Sequence, residues 1–212
     1  MSYVAERRAE EKDRRRAEIV DAAVELYREV GWDAVTIDQV AKRARLSRAL
    51  VYVYFQDKDE LHAAIVLRAF ELLDKRFAEA AERVRLGLDK IEVLGRAYVA
   101  FGNEFPHLFN ACARFESTER QDMQPNSLLE ACVAAGNRVH EHTISALEAG
   151  IRDGTIRADM GDSRVVAISL WGFSHGLIQI AMTKAHMLAR EGISVPQLLE
   201  QSVSLLRRML AK

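Results

Sequence analysis

Residues 36–58, TIDQVAKRARLSRALVYVYFQDK, hold two short helical patterns separated by a four-residue break. Thr36 precedes Ile37, Val40, Ala41 and Ala44 at helical spacing, and Gln39 stands three residues after it. That is a capping box, in which the threonine and glutamine side chains satisfy each other's free backbone amides, with Val35 and Val40 placed as a hydrophobic staple. The break Ala44-Arg45-Leu46-Ser47 ends the first helix, and Ser47 is placed to cap a second that runs to about Phe55, with Leu46 and Val51 as its staple. Asp57 and Glu60 form a third start signal, for a helix expected from Lys58 to about Arg83.

Two helices crossing at a short turn make a helix-turn-helix, whose second helix lies in the DNA major groove and shows its N-terminal side chains to base edges. Those side chains are Arg48, Ala49, Tyr52 and Val53. Arg48 can fork onto guanine O6 and N7, a contact worth roughly 1–3 kcal/mol of discrimination, and Ala49 and Val53 can meet thymine methyls. Val51 and Phe55 are expected to face inward. Lys58 sits in the first turn of its helix, where a cation opposes the macrodipole; either an anion such as a DNA phosphate lies near it, or it is a solvated surface charge.

The spacing of these residues resembles the tetracycline repressor (TetR) family of bacterial transcription regulators. The resemblance rests on Gly31 and Thr36 in GWDAVT, Val40-Ala41, Ala44, Leu46-Ser47, Tyr52, Tyr54-Phe55, Lys58 and Leu61, and it covers residues 15 to 65 closely. It implies that Thr36, Tyr54 and Lys58 contact phosphates, and that Arg48, Ala49, Tyr52 and Val53 read bases. Arg45 and Ala49 stand where the family commonly has glycine, and Leu50 where it commonly has a polar residue. A left-handed Arg45 would carry about 1 kcal/mol of strain. Either a nearby phosphate offsets it, which keeps Arg45 among the DNA-binding candidates, or the turn is altered.

The chain has 212 residues, 49% of them hydrophobic and 29% charged, which is enough for one or two packed domains. Three prolines and a persistent 3.6-residue pattern, with no convincing alternation, point to an all-α protein of about nine helices. No apolar run approaches a membrane span and the N-terminus lacks the apolar core of a signal peptide, so no membrane partner and a cytoplasmic location are expected. Cys112 and Cys132 match no zinc spacing, and neither a metal nor a cofactor is expected. Ser174 and His175 are adjacent and point apart on a helix, so an enzyme is not expected.

A net charge of −1 is unfavourable for DNA binding, but its distribution is not. Between residues 42 and 58 five cations, Lys42, Arg43, Arg45, Arg48 and Lys58, stand against one acid, Asp57. Residues 7–16 add six more cations interleaved with Glu10, Glu11 and Asp13, giving either a solvated helix extension or a phosphate-contacting arm. Ile19, Ala23, Leu26, Tyr27 and Val30 form a stripe able to cover the two reading helices; Gly31 stops that helix, and Trp32 is expected to pack at the corner. A three-helix DNA-binding head at residues 1–56 is thus joined, without a flexible linker, to an effector-binding and dimerisation bundle at 57–212.

In that bundle, helices are expected at about 88–104, 106–119, 125–152, 163–190 and 195–211, with Gly87 and Phe105-Pro106 as breaks. Trp171-Gly172-Phe173-Ser174-His175-Gly176 resembles a Trp-x-x-x-His-Gly segment of a subset of the family. Two glycines four apart imply either close helix packing or space left for a ligand. His175 is either a satisfied core histidine or, with Trp171 and Gln179, part of a cavity wall. Phe101, Phe105, Phe109, His140 and Met182 complete the effector-binding candidates, with Phe115 and Met123 as further possible lining; each is also of a type common in ordinary cores. An unidentified hydrophobic small molecule is the expected effector. Ser194 caps a last helix whose Leu198, Leu199, Val203, Leu206 and Leu210 make a broad apolar face, so residues 163–211 are expected to form a homodimer. Such a dimer would set its reading helices about 34 Å apart on a palindromic double-stranded operator, and an effector would release it by population shift. The alternative is a helical DNA-binding or interaction protein with no small-molecule effector.

Overall fold

The computed structural model describes residues 3–115, 124 and 127–212. Ten α-helices follow in order: α1 (Tyr3–Val30), α2 (Ile37–Arg43), α3 (Arg48–Tyr54), α4 (Lys58–Glu82), α5 (Gly87–Glu104), α6 (Pro106–Ala113), α7 (Leu128–Asp153), α8 (Ser163–Thr183), α9 (Ala185–Arg190) and α10 (Val195–Leu210). A 3-10 turn, Trp32–Ala34, lies between α1 and α2. Among the described residues there is no strand, and one isolated bridge pairs Ile156 with Ala211. The expected helix at 163–190 divides at Lys184, which adds α9 to the expected nine. Residues 116–119 and 125–126 of two expected helices, and Met123, lie outside the described residues.

Two compact units emerge. One comprises the described residues up to Ala69 with those from His107 to Val133; the other comprises Phe70–Pro106 and Ala134–Lys212. In the first, α1 ends at Gly31, whose φ of 76° reverses the chain and whose N–H still reaches Tyr27 O at 3.0 Å. Trp32 is buried at the corner, 5.6 Å from Tyr27 and 5.0 Å from His62 between ring centres. Ile19, Ala23 and Leu26 of α1, Val40 and Ala41 of α2, Val51 and Phe55 around α3, and Leu61 and Ile65 of α4 make a continuous apolar interior. Arg43 on α2 reaches Glu25 and Glu29 on α1, at 3.1 and 2.7 Å.

The second unit depends on glycine in a way the sequence pattern does not reveal. Gly87 is not a break; it is the first residue of α5, and a Cβ placed there would stand 2.0 Å from Gly150 N and 2.6 Å from Ala146 O of α7. The two backbones meet because Gly87 has no side chain, whereas Gly150 leaves room for Ile156, whose Cδ1 would stand 2.4 Å from a Cβ there. The exposed amides of α5 are then satisfied from the end of α7: Gly87 N–H donates to Asp153 Oδ2 at 2.8 Å and Leu88 N–H to Thr155 Oγ1 at 3.2 Å. Arg207 of α10 pairs with Asp89 and Glu92 of α5, and Arg96 bridges Glu92 and Glu200.

In α8 only Ala167, Ile178 and Ala181 are buried. This helix has an 18-residue window of mean hydropathy 1.5 and is, by length and composition, apolar enough to cross a membrane. That corrects the expectation that no segment reaches this level. Ser, Arg and His interrupt the apolar run without lowering its average enough.

Candidate nucleic-acid interface and effector wall

The reading head forms as its local chemistry dictates. Thr36 N–H donates to Gln39 Oε1 at 2.8 Å and Gln39 N–H donates to Thr36 Oγ1 at 3.3 Å, closing the capping box. Ser47 Oγ accepts from Leu50 N–H at 3.1 Å at the start of α3, and Asp57 Oδ1 accepts from Glu60 N–H at 2.7 Å at the start of α4. Between α2 and α3, Leu46 N–H reaches Ala41 O at 2.8 Å and Arg45 N–H reaches Lys42 O at 3.2 Å. These two bonds are a Schellman closure, and they place Arg45 in the left-handed region at φ 57°.

On the surface of this head, Thr36, Arg45, Arg48, Ala49, Tyr52 and Val53 are exposed, and Tyr54 and Lys58 are half-buried. Val53 is 73% exposed, well beyond what an apolar side chain on a short packed helix requires. Two of the cations have partners that sequence spacing did not suggest. Arg48 lies 3.3 Å from Asp38 and 3.4 Å from Tyr52 Oη, its guanidinium 5.6 Å from the Tyr52 ring centre. Lys58 Nζ donates to Asp33 O at 3.3 Å and sits 5.1 Å from the centre of the Trp32 ring. Asp33 is itself held by Arg114 at 2.9 Å, and that contact keeps its carboxyl below the usual range. The local positive charge is therefore smaller than counted: Arg43 is neutralised by two glutamates and Arg48 by one aspartate. Farther back, Arg14 and Arg15 pair with Glu11 and Glu18 along α1, and Arg16 stacks 4.7 Å from the Phe55 ring centre, as a helix extension would use them.

The second candidate site is centred on Tyr98, which the sequence reading missed. Its hydroxyl accepts from Trp171 Nε1–H at 3.2 Å and lies 2.9 Å from His175 Nδ1. The indole N–H can only donate, so Tyr98 donates on to Nδ1 in the arrangement that satisfies all three groups, with the His175 proton on Nε2. Burial holds His175 and His140 below the ordinary histidine range, which keeps both rings neutral. His140 meets Trp171 edge-on at 5.4 Å. Leu94, Tyr98 and Phe101 share one face of α5, so the helical period could have pointed to Tyr98.

The other candidates fall into two groups. Gln179 and Met182 are half-buried further along α8, and Phe101 of α5 meets Phe105, the residue that ends it, at a tilt with ring centres 5.9 Å apart, where Arg76 covers Phe105. Phe101 and Phe109 are fully buried; Phe109 and the half-buried Phe115 belong to the first compact unit, and the other candidates to the second. Gly172, Gly176 and Gly95 have open space where a Cβ would go, so close packing within the described chain does not explain the glycine pair. A cavity of about 560 Å³ lies along α8 and α10, lined by Val165, Ser169, Phe173, Leu206 and Met209 among others, with Arg157 and Asp159 as its charged groups. None of the expected effector residues lines it. Neither cysteine is poised for chemistry: Cys132 donates to Ala63 O, and burial pushes the Cys112 thiol up to about 12.

Residues 19–65 match the family model described as bacterial regulatory proteins, tetR family. The HTH-type transcriptional repressor KstR2 of Rhodococcus jostii (strain RHA1) is 29% identical over 149 residues, covering 70% of this chain and 71% of that one. A structure of a protein with unknown function from Rhodococcus sp. RHA1 superposes with a TM-score of 0.74 at 21% identity, covering 93% and 95% of the two chains. The regulator FadR of Bacillus subtilis, in complex with stearoyl-CoA, superposes at 0.68 with 18% identity, covering 90% and 96%.

Proposed function

The chain belongs to the TetR family of bacterial regulatory proteins, and we propose that it is a homodimeric repressor released from a palindromic operator by a small apolar effector. That it binds DNA to regulate transcription is carried by one observation. Two helices, each with its own cap, meet across a tight closure, and the second leaves Arg48, Ala49, Tyr52 and Val53 at the surface. Helices α2 and α3 supply the geometry with which such heads enter a major groove. Thr36, Tyr54 and Lys58 are assigned to phosphates, and the four exposed α3 residues to bases.

Dimerisation is supported by the open face of α8 and α10. Val165, Ile168, Phe173, Leu205 and Met209 are all exposed apolar side chains there, around the cavity. A second copy covers such a face without cost to His175 and Gln179, which would be poorly placed in lipid, and a cytoplasmic protein follows. The effector is assigned to the wall of Trp171, Tyr98, His175 and His140, with Gln179 and Met182 further along α8 and Phe101 and Phe105 at the C-terminal end of α5. An apolar body with one or two hydrogen-bonding groups fits such side chains. Stearoyl-CoA, the ligand of the Bacillus subtilis neighbour, is a first compound to try for its apolar acyl chain, which alone suits this wall; its charged coenzyme A portion does not.

The test begins with selection of bound fragments from the source genome at low salt. A palindromic consensus is expected, with Arg48→Ala and Tyr54→Ala binding more weakly; no bound fragment, or parental binding by both variants, overturns the DNA reading. Sedimentation of Ile168→Glu should show monomer where the parent is dimer. An effector should raise the melting temperature and lower operator affinity together; stabilisation without release would overturn the ligand-release mechanism.

A further inference from the structure

The closure between α2 and α3 needs a left-handed residue at its turn, and the residue there is Arg45, with φ 57°. Glycine adopts that conformation freely, whereas any Cβ crowds the following carbonyl oxygen. The two closing bonds, Leu46 N–H to Ala41 O and Arg45 N–H to Lys42 O, are both backbone bonds and would survive a glycine. No side-chain contact among the described residues returns the strain. The Arg45 side chain is exposed and makes no hydrogen bond or ion pair among the described residues, which is true also of Lys42 on regular helix, while Arg43, Arg48 and Lys58 around it are each held by the protein. A strained position that carries a long unclaimed cation indicates a partner outside the chain.

We propose that Arg45 binds a phosphate of the operator backbone, flanking the bases read by α3. The position favours phosphate over base: the turn precedes the reading helix, and in this type of head the segments around that helix meet the duplex backbone. The proposal rests on the DNA reading above and adds a contact that this chain makes with a residue the resemblance does not assign.

The experiment compares the parent chain with Arg45→Gly and Arg45→Lys on a fragment the parent binds, titrated between about 50 and 200 mM salt. Glycine should weaken binding several-fold and make the salt slope shallower by about 0.9 for each copy on the DNA. Its melting temperature should equal or exceed the parent's, by up to about 4 °C. Lysine, which keeps the charge, should keep most of the slope. Parental affinity and slope in Arg45→Gly would overturn the proposal, as would a lower melting temperature, which would make the arginine a structural residue. Absence of any fragment bound by the parent would instead overturn the DNA reading on which the assignment rests.

Discussion

The reading head and helix α8 both expose apolar side chains, yet for different reasons. In the head, Tyr52 and Val53 of α3 are exposed among Arg45, Arg48 and Lys58, with Val30 standing apart at the end of α1, while Val40, Val51 and Phe55 are buried to completion. In α8 it is a continuous face, with Val165 at 63%, Ile168 at 58% and Trp171 at 45%. Isolated apolar groups between cations suit a polyanion whose grooves carry methyl groups. A contiguous apolar face suits another protein surface. In the proposed function, DNA covers the first region and a second copy of the chain covers the second.

The largest effect expected from a single change would test whether the α8 unit nevertheless has a fixed core of its own. Gly87→Ala would push a methyl into the α7 backbone, where no side chain can give way. Separation of α5 from α7 should cost about 3 kcal/mol, read as a lower urea midpoint. A midpoint unchanged from the parent would mean that the two backbones are not held in contact.

A smaller change addresses the head's specificity. Arg48→Ala should lose about 1–3 kcal/mol of preference for one operator base pair, measured by competition with single-base variants. Asp38→Asn should retain part of that preference while loosening the fork that Asp38 and Tyr52 hold. Equal loss on every sequence, by contrast, would move Arg48 from base reading to phosphate binding.

These regions also differ in how much the sequence disclosed. Thr36, Ser47 and Asp57 act on amides two or three residues away, so their roles are written in local spacing, and all three caps form. Asp33, Asp38 and Arg114 act across turns and between helices, and no local period announces them. Tyr98 lies in the α5 stripe, where its spacing alone does not distinguish it from ordinary core; its bonds to Trp171 and His175 of α8 do. Gly87 was misread because a glycine at a close backbone approach and a glycine at a break look alike in sequence. Removing the Thr36 cap by Thr36→Ala should cost about 1 kcal/mol of stability, far less than Gly87→Ala. Serine at the same position should restore most of it.

The mildest perturbation is acid, and its sign follows from four histidines. Burial comes first among the causes that lower His62, His107, His140 and His175; Arg114 and Lys58 add to it at His62, and Arg28 at His107. Each folded-state value lies below the ordinary 6.5, so the unfolded chain binds more protons just below that pH. Stability should be complete above about pH 6.5 and decline as pH falls below it, before Asp33, held down by Arg114, contributes its own loss below about pH 3.8. Urea midpoints at about pH 7.5 and 5.5 measure the first window, and His62→Gln and His175→Gln should each make the decline shallower, one in each compact unit. Equal midpoints at the two pH values would mean that these rings are solvated in the folded protein. A decline shallower only in His175→Gln would place the acid-sensitive packing in the α8 unit and leave the head indifferent to protons, which is the sharper form of the contrast between them.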